Sequence, residues 1–149
     1  MANILNEDFT EFIQTLNECN VEYILVGGYA VIYHGYNRTT GDLDVWVNPT
    51  KENYKKLSLA FSKFGMSVFD MNETKFMNTS NYDVFTFGRP PICIEILTKV
   101  KGLEFPETYI NSTFTKFDNV DVRMIDIRDL KQAKQAANRS KDKDDLEHL

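Results

Sequence analysis

The sequence has few of the residues from which the commoner reactive centres are built. Two cysteines, Cys19 and Cys93, lie far apart with no CxxC spacing, and His34 and His148 are the only histidines. A Cys/His zinc site is therefore excluded, and both thiols read as small buried apolar residues. No serine or cysteine nucleophile motif surrounds His34, so a hydrolase triad lacks its parts and His34 reads as a core or helix-surface histidine. Neither GxGxxG nor GxxxxGK[ST] occurs, which removes the dinucleotide-fold and P-loop readings. Long apolar runs are missing as well: the longest, Tyr23 to Tyr33, contains two glycines and falls well short of the roughly 20 residues that span a bilayer. The first residues, Met1 to Asp8, have no basic start and no apolar core, so no export signal is read. The expectation is a cytoplasmic protein with no membrane partner.

What is present suits one folded domain. The chain has 149 residues, 42% hydrophobic and 26% charged, at the usual size for a single core. Its net charge of −5 argues against broad, sequence-independent nucleic-acid binding, which rests on neutralising many phosphates. Positive charge is nevertheless concentrated near the C-terminus, where Arg128, Lys131, Lys134, Arg139, Lys141 and Lys143 are interleaved with only Asp129 and Asp142.

Periodicity places the elements. Phe9, Phe12, Ile13 and Leu16 recur at helical spacing behind a capping Asn6, and the pattern stops near Asn20. Val21 to Val26 reads as a buried strand that runs into a tight Gly27-Gly28 loop, and Tyr29 to Tyr36 as a short helix closed with the help of Gly35. Asp42 to Val47 alternates, with Leu43, Val45 and Val47 on one face and Asp42, Asp44 and Trp46 on the other. Lys51 to Phe64 carries an apolar stripe of Tyr54, Leu57, Leu59, Ala60, Phe61 and Phe64, ended by Gly65. Tyr82 to Phe87 and Ile92 to Leu97 read as strands joined through Gly88, Arg89, Pro90 and Pro91. Thr113 to Phe117 and Val120 to Ile125 form a hairpin turned by Asp118 and Asn119. A helix from about Ile127 to Ala137 and a short charged helical segment finish the chain. No repeat, linker or low-complexity tract interrupts it, and the fold class expected is α/β or α+β with a mixed sheet flanked by helices.

Asp42 and Asp44, two apart on a strand, project from one face and repel each other unless a divalent cation lies between them. A hard ion such as Mg²⁺ takes carboxylate oxygens and keeps positions for water and substrate phosphates. Glu95 is a third carboxylate, set in the apolar run Ile92 to Leu97, where a charge needs a partner. It is read either as a salt-bridged or solvent-facing edge residue, or as a neighbour of Asp42 and Asp44 that ligates a metal or accepts a proton from an attacking hydroxyl. The Gly27-Gly28 pair, between a strand and a helix, lets backbone N–H groups approach an anion.

The run of strand, Gly27-Gly28, helix, then Arg38, Thr39, Thr40, Asp42, Leu43 and Asp44 resembles the signature of the nucleotidyltransferase superfamily related to DNA polymerase β, most closely its minimal bacterial members and those related to abortive-infection type IV toxins. The final segment, with Asp129, Leu130, Lys134, Ala137, Arg139, Lys141, Asp142 and Asp145, is similar to the closing helix of many of these proteins, so the resemblance spans nearly the whole chain. It implies a Mg²⁺-dependent nucleotidyltransferase: Asp42, Asp44 and Glu95 as catalytic and metal-holding carboxylates, and Gly27, Gly28, Arg38, Thr40, Lys134, Arg139 and Lys141 around a nucleoside triphosphate. An acceptor hydroxyl on an RNA end, a protein or a small molecule would attack the α-phosphorus and release pyrophosphate. Tyr29 stands where many relatives have serine, and Glu95 where aspartate is common. The alternative reading is accordingly a weak or inactive nucleotide-binding partner module of a toxin–antitoxin pair. In the default reading of the last helix, Lys131 and Lys134 sit at its edges in solvent, while the resemblance turns Lys134 toward the triphosphate.

Overall fold

The computed structural model describes residues 5–89 and 92–149; the expected loop residues Pro90 and Pro91 lie outside them. The elements follow in the order α1 (Glu7–Glu18), β1 (Tyr23–Val26), α2 (Gly27–Tyr33), β2 (Asp42–Val47), α3 (Lys51–Phe64), α4 (Glu73–Met77), β3 (Val84–Arg89), β4 (Ile92–Leu97), α5 (Phe105–Asn111), β5 (Thr113–Phe117), β6 (Val120–Met124), α6 (Ile127–Ala137) and α7 (Ser140–His148). The architecture is α+β, a six-stranded mixed sheet in the order β3-β4-β2-β1-β6-β5 with helices against it.

Local chemistry accounts for most boundaries. The Asn6 side chain accepts the Phe9 N–H at 2.8 Å and starts α1; Thr50 caps α3 in the same way through Asn53 N–H at 3.1 Å, and Gly65 ends it in the left-handed region at φ 88°. Asp118 takes the positive φ of the β5–β6 turn, at 54°. Several boundaries and one packing position differ from the sequence reading: β1 begins at Tyr23 rather than Val21, α2 ends at Tyr33 rather than Tyr36, β3 begins at Val84 rather than Tyr82, and β6 ends at Met124 rather than Ile125. Gly27 and Gly28 form the first turn of α2 rather than a loop before it. β3 continues to Arg89, because Gly88 and Arg89 keep pairing with Cys93 and Ile92. Leu59, expected in the apolar stripe of α3, is 53% exposed, since the face that packs is Asn53, Leu57, Ala60 and Phe61. The short helices α4 and α5 had no expectation in the sequence.

The two faces of the sheet divide the work. Leu43 and Val45 of β2 align with Ile94 and Ile96 of β4 and with Phe87 and Phe85 of β3. This face is packed by α1 and α3, with Phe61 edge-on to Phe87 at 4.8 Å and to Phe12 at 5.6 Å. The opposite face carries Asp42, Asp44 and Trp46, and Trp46 meets Phe105 of α5 edge-on at 5.3 Å. Apolar packing therefore holds one face rigid while the other keeps carboxylates.

Candidate active site

Strand pairing puts the three carboxylates together. β2 and β4 run parallel with Asp44 opposite Glu95 and Asp42 opposite Cys93, so Asp42, Asp44 and Glu95 project from the same face of two adjacent strands. The antiparallel pairing of β1 sets Val26 opposite Asp44 and brings the start of α2 against it. A Cβ on Gly27 would meet the Asp44 carboxylate, and one on Gly28 would meet the Thr40 side chain. Gly27 is also at φ 71°. The two glycines are required here so that the chain can pass this close to the acid and to the loop that precedes it.

These residues line a cavity of about 340 Å³ between the sheet and the C-terminal helices. One part of its wall is acidic, with Asp42, Asp44 and Glu95 beside Gly27; another is apolar, with Leu97, Val100, Ile125, Leu130, Ala133 and Ala137; and Lys99, Lys101, Lys134, Arg139 and Lys141 supply positive charge. Of the residues singled out in the sequence, Asp42, Asp44, Glu95, Gly27, Lys134, Arg139 and Lys141 meet at this cavity, whereas Gly28, Thr40 and Arg38 stand behind its wall. Lys99 and Lys101 were not anticipated. They lie two residues apart in the loop after β4, with no motif to mark them, and only the return of the chain there brings them to the site.

Asp44 is the electrostatic centre of the cavity. Burial pushes its carboxyl up to about 8, and a hydrogen bond to Glu95 with the charges of Glu95 and Asp42 pushes the same way, against a lowering by Lys141. Its Oδ1 is buried with no hydrogen-bond partner. A buried, unpaired carboxylate oxygen at a cavity is costly without a cation or a proton. Among the described residues no cluster of three or more His, Cys, Asp or Glu side chains is assembled tightly enough to hold an ion unaided. The donor set present, two or three carboxylates on adjacent strands facing a cationic wall, fits an ion that takes one or two protein carboxylates and completes its shell with water and phosphate, as Mg²⁺ does. The Cys93 thiol, in the same row as Asp42, is pushed up by burial and by the charges of Asp42 and Glu95, which disfavours a thiolate nucleophile.

The C-terminal cations are held by an ionic network that the sequence did not reveal. Lys134 is buried, not solvated at a helix edge as the default reading had it. Its Nζ lies 3.3 Å from Asp142 and 3.0 Å from Asp145, both of which are almost fully buried. Arg38 grips Asp145 with Nε at 2.8 Å and a second guanidinium nitrogen at 3.0 Å, and Arg139 Nε donates to Asp142 at 2.7 Å. Burial alone would raise the Asp142 carboxyl, but the Arg139 hydrogen bonds and the Lys134 charge hold it low. Tyr36 adds a flat stack on His148 at 3.8 Å and a hydrogen bond to Asp144 at 2.7 Å. Arg38 thus ties the loop before Asp42 to α7, and α7 in turn fixes Lys134 at the cavity. His34 is half-buried and its Nε2 donates to the Ile125 carbonyl at 2.7 Å, a structural role.

The model of the family described as nucleotidyl transferase of unknown function (DUF2204) matches residues 5–149. No curated protein matches the chain. With the match running from the first turn before α1 to the end of α7, the chain belongs to this nucleotidyl transferase family.

Proposed function

We propose that this protein transfers a nucleoside monophosphate from a nucleoside triphosphate to an acceptor hydroxyl in a Mg²⁺-dependent reaction that releases pyrophosphate. The observation that carries this reading is the in-register pairing of Asp44 with Glu95, with Asp42 two residues from Asp44, at a cavity also lined by Lys99, Lys101, Lys134, Arg139 and Lys141. Asp42 and Asp44 would hold the metal, the unpartnered Asp44 Oδ1 being the oxygen most in need of it. When bound, Mg²⁺ neutralises phosphate charge and stabilises the entering and leaving oxygens. Lys134, Arg139 and Lys141 take the phosphates by charge-assisted hydrogen bonds, and the apolar wall of Leu97, Val100, Ile125 and Leu130 accommodates the nucleoside. Glu95 accepts the proton of the attacking hydroxyl, and the new bond forms at the α-phosphorus as the bond to the β-phosphate oxygen breaks.

The reading is tested by parallel incubations with Mg²⁺, a cell extract and an NTP labelled on either the α- or the γ-phosphate. Transfer of the α-label to acceptor, with the γ-label recovered as pyrophosphate, is the expected result. Transfer of the γ-label would mean a phosphotransferase, and an NTP that neither binds nor reacts would overturn the reading.

A further inference from the structure

The cavity changes character along β4. Cys93, Glu95 and Leu97 are in register with Asp42, Asp44 and Trp46, and pairing with the β3 side continues to Thr98, whose N–H donates to the Asp83 carbonyl at 3.0 Å. The wall therefore passes from the carboxylates to the apolar Leu97 and then to Lys99, Val100 and Lys101, all of which line the cavity. The loop that bears the two lysines is pinned on both sides. Val100 and Leu103 pack on the core, Gln132 of α6 donates to the Gly102 carbonyl at 2.7 Å, and Gly102, at φ 88°, lies so close to α6 that a Cβ there would meet Ala136. Lys99 and Lys101 thus rise from a fixed backbone, and neither has a salt-bridge partner among the described residues. Arg139 and Lys141 come from the other direction. They open α7, which Arg38 ties to the loop before Asp42, at the end of β2 away from Trp46 and Leu97.

We infer that Lys99 and Lys101 contact the base of the nucleotide and select an NTP whose base carries a keto oxygen at the edge farthest from the ribose, GTP or UTP, over ATP and CTP. This deepens the nucleotidyl-transfer reading above and rests on it. With the α-phosphorus at Asp42 and Asp44 and the other phosphates drawn toward α7, the nucleoside extends the opposite way, along Leu97, Val100, Leu130 and Ala133, and its base ends at the two lysines. A triphosphate laid toward Lys99 instead would run its charge along apolar Leu97 and Val100 and leave Arg139 and Lys141 unused. A lysine ammonium is a donor three times over and never an acceptor. At its far edge guanine offers O6 beside N7 and uracil offers O4, all acceptors, whereas adenine and cytosine place an amino donor there. No acceptor side chain among the described residues lines this end of the cavity to receive that amino group: Asp42, Asp44 and Glu95 are at the metal site, and Asp142 is paired with Arg139 and Lys134. A keto oxygen therefore gains a charge-assisted hydrogen bond, and an amino group meets only another donor.

The test measures equilibrium binding of the α,β-methylene analogues of GTP, UTP, ATP and CTP, and of inorganic tripolyphosphate, to the full chain with Mg²⁺. The wild type should bind the GTP and UTP analogues about ten- to a hundredfold more tightly than those of ATP and CTP, the discrimination usual for a well-placed hydrogen-bonded contact to a base edge. The double variant Lys99→Met, Lys101→Met keeps the apolar stems and removes the donors. It should lose that preference by weakening toward the GTP and UTP analogues, with its affinity for tripolyphosphate unchanged, which also shows that the site is still folded. Equal affinity of the wild type for all four analogues, or a preference that survives in the double variant, would overturn the inference. So would an equal loss toward all four analogues and tripolyphosphate, which would put the lysines on the phosphates. Failure of the wild-type chain to bind any of the four with Mg²⁺ would instead overturn the nucleotidyl-transfer reading.

Discussion

A single carboxyl, Asp44, concentrates the conflict between stability and chemistry in this fold. Its folded-state value lies near 8, above the ordinary 3.8, so between about pH 4 and pH 8 the folded protein binds a proton that the unfolded chain has released. Stability from that proton is fully present below pH 4 and is lost as pH rises through 8. Thermal unfolding of the metal-free protein should therefore move to lower temperature across this window, and Mg²⁺ should reduce the slope by taking the place of the proton. Asp44→Asn should remove the slope and stabilise the metal-free protein at pH 8 by about 1 kcal/mol, or about 2 to 4 °C at this chain length; an unchanged slope measured by differential scanning calorimetry would deny Asp44 this role. Lys134 behaves oppositely. It bridges two carboxylates that are 0% and 1% exposed, so Lys134→Met should cost about 3 kcal/mol even without nucleotide, the usual result of unpairing a buried charge. A solvated lysine would have changed stability hardly at all. That pairing was not legible in the sequence, where Lys134, Asp142 and Asp145 read as three charges on a polar segment; only the chain reversal at Asn138, in the left-handed region at φ 54°, folds α7 back onto α6.

At the scale of elements, strands and capped helices declared themselves where local chemistry and period agree. α3 and β2 run over the residues expected because a cap, a stripe and a glycine stop mark α3, and strict alternation marks β2. α4 and α5 are only five and seven residues long, too short for a helical period to register. The Asp44–Glu95 register was open for the same reason that parallel pairing generally is: it is set by packing between segments separated by α3 and α4, not by a turn. The start of α2 yields a sharp expectation. Gly27→Ala places a Cβ against the Asp44 carboxylate and imposes a side chain at φ 71°, whereas Gly28→Ala meets only the Thr40 side chain. Gly27→Ala should therefore lower stability by more than 1 to 3 kcal/mol, about the cost of backbone strain alone, and abolish turnover; equal stability of the Gly27→Ala and wild-type proteins in urea unfolding would show that β1 and β2 do not approach as described.

For the molecule as a whole, a net charge of −5 coexists with a cationic wall because the acids are spent elsewhere or paired within the C-terminal network. Lys99, Lys101 and Lys141 have no salt-bridge partner among the described residues and face the cavity. Binding to the folded state alone stabilises it by about 2.7 kcal/mol at a hundredfold excess over Kd. An NTP with Mg²⁺ should accordingly raise the unfolding temperature by about 5 to 10 °C, and neither component alone should do as much. The central claim, that carboxylates on β2 and β4 carry out nucleotidyl transfer, is tested most directly by pyrophosphate release from NTP and Mg²⁺ with wild-type protein and Asp44→Asn. The account predicts release by the wild type and a loss of about a thousandfold or more in a variant that unfolds at the same or a higher temperature. Equal pyrophosphate release by a folded Asp44→Asn protein would contradict it.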